Sequence, residues 1–278
     1  MLKKTVIDFH VHFSMYENPL ESYSAWLAQG YPSAEVYEDV RHKYSDANRF
    51  IELMDENGVD FSVVLAEVAP LTSGIATNEM IRSFCAGRPR LLPFCTFNPY
   101  TDSCMGPKLE ELVQKQGFKG LKLYPTYNYF YPNDTIMYPL YSVAEHLGIP
   151  VLFHTGSSVF ENSRIKYGNP IFFDDVAVDF PNLNIIMAHG GRGPWYDEAF
   201  TMVRLHKNVY IDITGLPPSK LFDYYPDMER FVHKFIFGSD WPSVNVAQNI
   251  KCVSQLPIAR EGIDRILGET AGRILKLL

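Results

Sequence analysis

The chain has 278 residues, of which 46% are hydrophobic and 21% charged, the balance of a folded globular protein rather than a disordered one. With 25 Lys and Arg against 32 Asp and Glu the net charge is −7, so the sequence carries no electrostatic footprint for nucleic acid or an anionic bilayer. No apolar run reaches the ~18 residues of a membrane span, and Asp8, His10 and His12 interrupt the first apolar stretch, which argues against a signal segment and for a cytoplasmic protein.

In chain order, short apolar, β-branched or aromatic runs alternate with longer segments carrying helix signals. Strands are predicted over residues 6–13, 61–67, 91–98, 118–124, 151–155, 184–189, 209–214 and 235–240. A helix is predicted over 45–57, with Ser45 and Asp46 as N-cap candidates, Phe50, Ile51, Leu53 and Met54 at helical spacing, and Gly58 as its stop. Further helices are predicted over 78–86, 108–116, 138–147, 195–206 and 263–278. This alternation predicts an α/β fold, a closed (β/α)8 TIM barrel forming one domain over 1–278, with an open doubly wound sheet as the alternative.

Two segments are longer than a barrel needs. Residues 14–44, read as an inserted segment after strand one, carry Tyr16, Tyr23, Trp26, Tyr31, Tyr37 and Tyr44. Residues 124–141 hold Tyr124, Tyr127, Tyr129, Phe130, Tyr131, Tyr138 and Tyr141. Both follow the C-terminal end of a strand, the mouth of a barrel, where they would roof a pocket or serve as padding or a subunit interface. The four cysteines, Cys85, Cys95, Cys104 and Cys252, form no C-x-x-C pair and read as reduced, packed thiols.

Side chains alternate along a strand, so Asp8, His10 and His12 are expected on one face, with Phe9, Val11 and Phe13 on the other. Two imidazoles ~6–7 Å apart at Cα can chelate one ion, and polar groups facing a core are costly when unpaired. Other strands end on one chemically capable residue followed by turn residues: Lys122 before Leu123-Tyr124-Pro125, His154 before Thr155-Gly156, His189 before Gly190-Gly191, and Asp240 before Trp241-Pro242. In a barrel such strand ends converge on one site.

With His10-Val11-His12, His154, His189-Gly190-Gly191 and Gly238-Ser239-Asp240-Trp241-Pro242 on strands one, five, six and eight, the chain resembles the metal-dependent amidohydrolase superfamily. Within it the likeness is to the amidohydrolase-2 branch related to aminocarboxymuconate-semialdehyde decarboxylase. The resemblance implies that His10, His12, His154 and Asp240 hold one divalent ion, zinc first, with manganese or iron also suited to three nitrogens and a carboxylate. It also implies that Asp240 and His189 are catalytic. Lys122 stands where binuclear members carry a carbamylated lysine that bridges two ions, so its role as a metal ligand and a second ion stay open.

The branch includes hydrolases of esters, lactones and amides as well as non-oxidative decarboxylases. The expectation is therefore a metal-dependent hydrolase of a small carbonyl compound that uses a metal-activated water. The alternatives are a decarboxylase of an aromatic or unsaturated carboxylic acid and a non-catalytic barrel stapled by its metal. Arg192 could pair with a substrate carboxylate or with a surface acid; Trp241, Tyr124 and Tyr127 are further substrate-binding candidates. Asp8 is expected to orient a metal-bound histidine. Glu67, Asn98 and Asp212, at or near the mouth, are given no role, and His42, His146, His206 and His233 are read as non-functional. The expected partner is a small-molecule substrate, with a homo-oligomer left open.

Overall fold

Every predicted strand forms, each trimmed by a few residues. The computed structural model describes residues 4–278. In it β1 (Ile7–His12), β2 (Phe61–Leu65), β3 (Leu91–Cys95), β4 (Gly120–Leu123), β5 (Val151–His154), β6 (Ile185–Ala188), β7 (Val209–Asp212) and β8 (Phe235–Ile236) pair in sequence order in one parallel sheet. The seam between last and first is bridged by three bonds: Phe9 N–H donates to Phe237 O at 3.0 Å, His12 N–H to Trp241 O at 2.9 Å and Asp240 N–H to His10 O at 2.9 Å. The fold is therefore a TIM barrel, and the seam excludes the open doubly wound sheet.

The predicted helix before β2 runs Ala47–Asn57; the Asp46 carboxylate accepts from the N–H groups of Asn48 and Arg49, and Gly58 ends it in the left-handed region at φ 68°. Residues 14–44 contain two helices, α1 (Glu21–Ala28) and α2 (Ala34–Tyr44). Among the described residues no helix is long and apolar enough to cross a membrane.

One apolar cluster draws on seven strands, including Phe9, Leu65, Phe94, Leu152, Ile186 and Ile236. Contact between strands that are not sheet neighbours, such as Phe9 against Phe94 with ring centroids 5.5 Å apart, places this cluster inside the barrel. β4 contributes Gly120, whose missing side chain makes room for the Phe94 ring: a Cβ there would lie 2.3 Å from Phe94 Cζ.

The expected alternation along β1 fails at this point. Pairing with β2 slips between Asp8 and Val11, a bulge that changes the phase of the strand. Ile7 and Phe9 join the interior cluster, and His10 and His12 reach the mouth above it. Asp8 is thereby separated from the histidines.

Candidate active site

The inward phase of the barrel carries polar residues just beyond its last apolar layer: Glu67 follows Leu65, Lys122 follows Gly120, His154 follows Leu152, and Asp212 follows Tyr210, each two positions on. Two further site residues come from left-handed backbone, His189 at φ 63° and Asp240 at φ 68°. Non-glycine residues are sparse there, and such constraint clusters at functional sites.

His10 Nε2 and His12 Nε2 stand 3.3 Å apart, with Asp240 Oδ1 at 3.5 and 3.4 Å from them. A tetrahedral ion with ligands at ~2.1 Å separates its donors by ~3.4 Å, so this triangle has the edge of three donors on one cation. The other ring nitrogens are already committed. His10 Nδ1–H donates to Asp212 Oδ2 at 2.7 Å. His12 Nδ1 lies 2.9 Å from the Tyr16 hydroxyl, which donates to Glu67 Oε2 at 2.8 Å.

Both Nε2 atoms therefore face the Asp240 carboxylate, an arrangement that demands positive charge in its midst. Burial lowers the pKa of His12, but its hydrogen bonds with Asp240 and Glu67 prevail and raise it to about 9. A divalent ion held there would meet the same demand in place of that proton. Burial, aided by Lys122 beside His10 and by Arg192 beside His154 and His189, keeps those three histidines well below their usual pKa, in the neutral form that ligates metals. For Asp240, burial acts upward, yet the bond from His12 and the charges of His10, His12 and Arg192 hold it well below the usual carboxylate range.

His154 Nε2 is buried without a hydrogen-bond partner, and its ring is 4.7 Å from that of His189. An orphaned imidazole nitrogen beside a triangle of acceptors fits a divalent ion. His154 nevertheless stands outside the tight donor group, which comprises His10, His12 and Asp240. His189 donates from Nδ1 to Thr214 O at 2.9 Å, which leaves Nε2 as its free nitrogen.

Above the triangle is a cavity walled by Tyr23 and Trp26 of α1, by Phe160, on which both rings pack edge-on, and by Tyr124 and Tyr127. Lys122 Nζ is buried without a hydrogen-bond partner, 4.9 Å above the Tyr124 ring, and burial pushes its pKa down to about 8. Arg192 also lines the cavity. Its Nε and Nη2 donate to Ser157 O at 3.3 and 3.0 Å, and among the described residues no carboxylate pairs with it, against the surface ion pair considered from sequence.

Two expectations need correction. Trp241 does not line the cavity; its ring packs against Phe50 and Tyr44, with centroids 5.0 and 5.9 Å away, because neighbouring side chains diverge and Asp240 takes the inner direction. Pro242 and Ser243 line the cavity in its place. Asp8 does not orient a histidine ring: its Oδ1 accepts the backbone N–H of Ser239 at 2.8 Å and of His10 at 3.3 Å. That orienting role falls to Asp212, which sequence reasoning left unassigned along with Glu67. The inward phase of β7, which ends on Asp212, and that of β2 carried two residues past its end to Glu67 are the signals that could have found both. Of the aromatic residues in 14–44, Tyr23 and Trp26 reach the cavity and Tyr16 reaches His12, whereas Tyr31 and Tyr44 line a separate cavity with Trp241.

The amidohydrolase family model matches residues 7–277. No curated protein matches the chain. Among solved structures, a TIM-barrel protein from Bordetella bronchiseptica superposes with TM-score 0.78 at 22% identity, covering 98% of each chain. A dihydroxybenzoic acid decarboxylase from a Polaromonas species, with bound manganese and the inhibitor 2-nitroresorcinol, superposes with TM-score 0.71 at 17% identity over 99% of this chain and 98% of that one. A probable 2-pyrone-4,6-dicarboxylic acid hydrolase from Acinetobacter baumannii with citric acid bound gives TM-score 0.68 at 19% identity over 98% and 99%. At these identities the likeness is one of fold.

Proposed function

Because the chain belongs to the amidohydrolase family, we propose that it is a metal-dependent carboxy-lyase that removes carbon dioxide, without oxidation, from a small aromatic or unsaturated carboxylic acid. The observation that carries this reading is Arg192, a guanidinium without a carboxylate partner in a cavity walled by aromatic rings and open to the acceptor triangle. Such a cation is suited to a carboxylate, and such walls to a flat, unsaturated skeleton. The likeness to a manganese-bound dihydroxybenzoic acid decarboxylase points the same way.

His10 Nε2, His12 Nε2 and Asp240 Oδ1, joined by His154 Nε2, would hold one divalent ion, manganese or zinc. When bound, that ion supplies a fixed positive charge that polarises a substrate oxygen. Arg192 binds a carboxylate, Lys122 offers a second positive group, and Tyr127 and Phe160 hold the plane of the substrate. Decarboxylation replaces the carboxylate by hydrogen: a C–H bond forms at the carbon that bears it, the C–C bond breaks, and its electron pair returns to the π system as carbon dioxide leaves. Asp240, through a carboxylate oxygen, and His189, through Nε2, are the groups placed to hold and move that proton, a role worth roughly 10²–10⁴-fold in rate.

A hydrolase of a small ester, lactone or amide is the second reading, favoured by the likeness to the pyrone-dicarboxylic acid hydrolase. Protein stripped of metal and reloaded with Mn²⁺ or Zn²⁺, then given carboxyl-¹³C-labelled hydroxybenzoates and unsaturated acids, separates the two. Labelled carbon dioxide is expected, with no ¹⁸O from solvent water in the organic product, and Asp240→Asn is expected to lower kcat by roughly 10³-fold or more. Uptake of ¹⁸O by lactones or esters without carbon dioxide release overturns the lyase reading.

A further inference from the structure

The strand-end residue His12 is held by more than its backbone. After β2 the chain folds into a short antiparallel hairpin, Glu67–Ala69 paired with Gly74–Ala76. Its first residue, Glu67, is a carboxylate only 1% exposed. Oε1 accepts from the Ser73 hydroxyl in the hairpin turn, and Oε2 accepts from the Tyr16 hydroxyl at 2.8 Å. The hairpin also grips the segment that carries Tyr16: Glu17 and Ile75 exchange backbone hydrogen bonds of 2.7 and 3.0 Å, and Leu20 N–H donates to Ser73 O at 3.2 Å.

These contacts have a direction. A carboxylate only accepts, and a tyrosine hydroxyl has a single proton. Because Glu67 takes that proton, the Tyr16 oxygen meets His12 Nδ1, 2.9 Å away, as an acceptor, and Glu67 Oε2, itself 3.3 Å from Nδ1, is a second acceptor there. Nδ1 must then carry the hydrogen, which frees Nε2 to act as a lone-pair donor towards His10 Nε2 and Asp240. Were Tyr16 to donate to the ring instead, the neutral ring's hydrogen would sit on Nε2, which could not ligate a metal.

We propose that Glu67 and Tyr16 are positioning residues that select the metal-ligating tautomer and orientation of His12, with the 67–76 hairpin as the clamp that sets them. This rests on the reading of His10, His12 and Asp240 as metal ligands. Tyr16 also stacks on Tyr23 of the cavity wall, with centroids 5.2 Å apart and planes 18° from parallel, so the same residue joins the ligand to the roof.

The test is direct titration of metal-free protein with Mn²⁺, followed by the loss of the free-ion electron paramagnetic resonance signal, on wild type, Tyr16→Phe, Glu67→Gln and the double variant. Each single variant is expected to weaken Mn²⁺ binding by roughly 10–100-fold. The double variant is expected to be little worse than the weaker single one, because both act through one chain of hydrogen bonds. Tyr16→Phe leaves a buried Glu67 oxygen without its donor, so some loss of melting temperature is expected in the metal-free protein, and the Mn²⁺ affinity of protein that is still folded is the readout that a merely structural tyrosine would not move. Wild type that binds one Mn²⁺ while both variants bind it equally well overturns this inference alone; wild type that takes up neither Mn²⁺ nor Zn²⁺ overturns the metal reading and the inference with it. Should Glu67→Gln fail to fold, Tyr16→Phe, which removes one hydroxyl and keeps the ring, decides the matter.

Discussion

Asp212 Oδ2 accepts the Nδ1 proton of His10 at 2.7 Å across the barrel seam, although 202 positions separate the two residues. The other Asp212 oxygen accepts the Thr214 N–H at 3.0 Å and the Thr214 hydroxyl, so the carboxylate is fixed from both sides. Asp212→Ala removes the partner that sets His10's tautomer and leaves its Nδ1 buried and unpaired. Metal affinity is expected to fall by roughly 10–100-fold and stability by about 1–3 kcal/mol. Equilibrium dialysis against Mn²⁺ and urea unfolding measure the two effects, and full metal retention would mean that packing alone holds the ring.

Gly215 is the floor on which Arg192 and His189 are arranged. At φ 66°, a Cβ there would stand 2.8 Å from Arg192 Nη1 and 3.2 Å from His189 Nδ1. Gly215→Ala is expected to push the guanidinium away from the position in which it meets a carboxylate. Losing a charge-assisted hydrogen bond of about 1.5–3 kcal/mol corresponds to a rise in KM of roughly 10–100-fold. The same Cβ would lie 3.4 Å from Asp240 Oδ2, an ordinary contact, whereas the oxygen facing His10 and His12 is Oδ1, so Mn²⁺ content is expected to stay near the wild-type level. Steady-state kinetics and metal analysis on the same preparation check both halves, and an unchanged KM would remove Arg192 from substrate binding.

What the sequence made legible was local. Asp46 and Gly58 bracket a helix through contacts within four residues of themselves, and both act as caps as expected. The strands were legible because each is a short apolar run, and the identities of His10, His12, Lys122, His154 and Asp240 stood out at strand ends. What stayed hidden is set by distance in sequence or by a change of phase. The bulge in β1 depends on pairing with β2, so strict alternation placed Asp8 beside the histidines when it is bonded to Ser239. The partners of His10 and His12, Asp212 and the Tyr16–Glu67 pair, exist only once β7 and the hairpin lie beside β1. Trp241 was credited to the site for its neighbour's sake, though adjacent side chains diverge.

That divergence can be tested with the two tryptophans. Trp241, 5% exposed, packs its ring on Phe50 and Tyr44 away from the cavity, whereas half-buried Trp26 faces the cavity and meets Phe160 edge-on at 5.5 Å. A packing residue acts on stability and a wall residue on substrate affinity, so the two variants should separate these quantities. Trp241→Leu is expected to lower unfolding free energy by about 1–3 kcal/mol and to leave KM within roughly twofold, a change below ~0.5 kcal/mol. Trp26→Ala is expected to raise KM by roughly 10-fold, the equivalent of ~1.4 kcal/mol, with a smaller effect on stability, because its ring is already part-exposed and the hydrophobic area it loses from the fold is correspondingly less. Denaturant unfolding and KM measured on both proteins decide it: a raised KM in Trp241→Leu with Trp26→Ala unchanged would mean that the cavity opens on the opposite side of the Asp240 loop from the one the aromatic walls define.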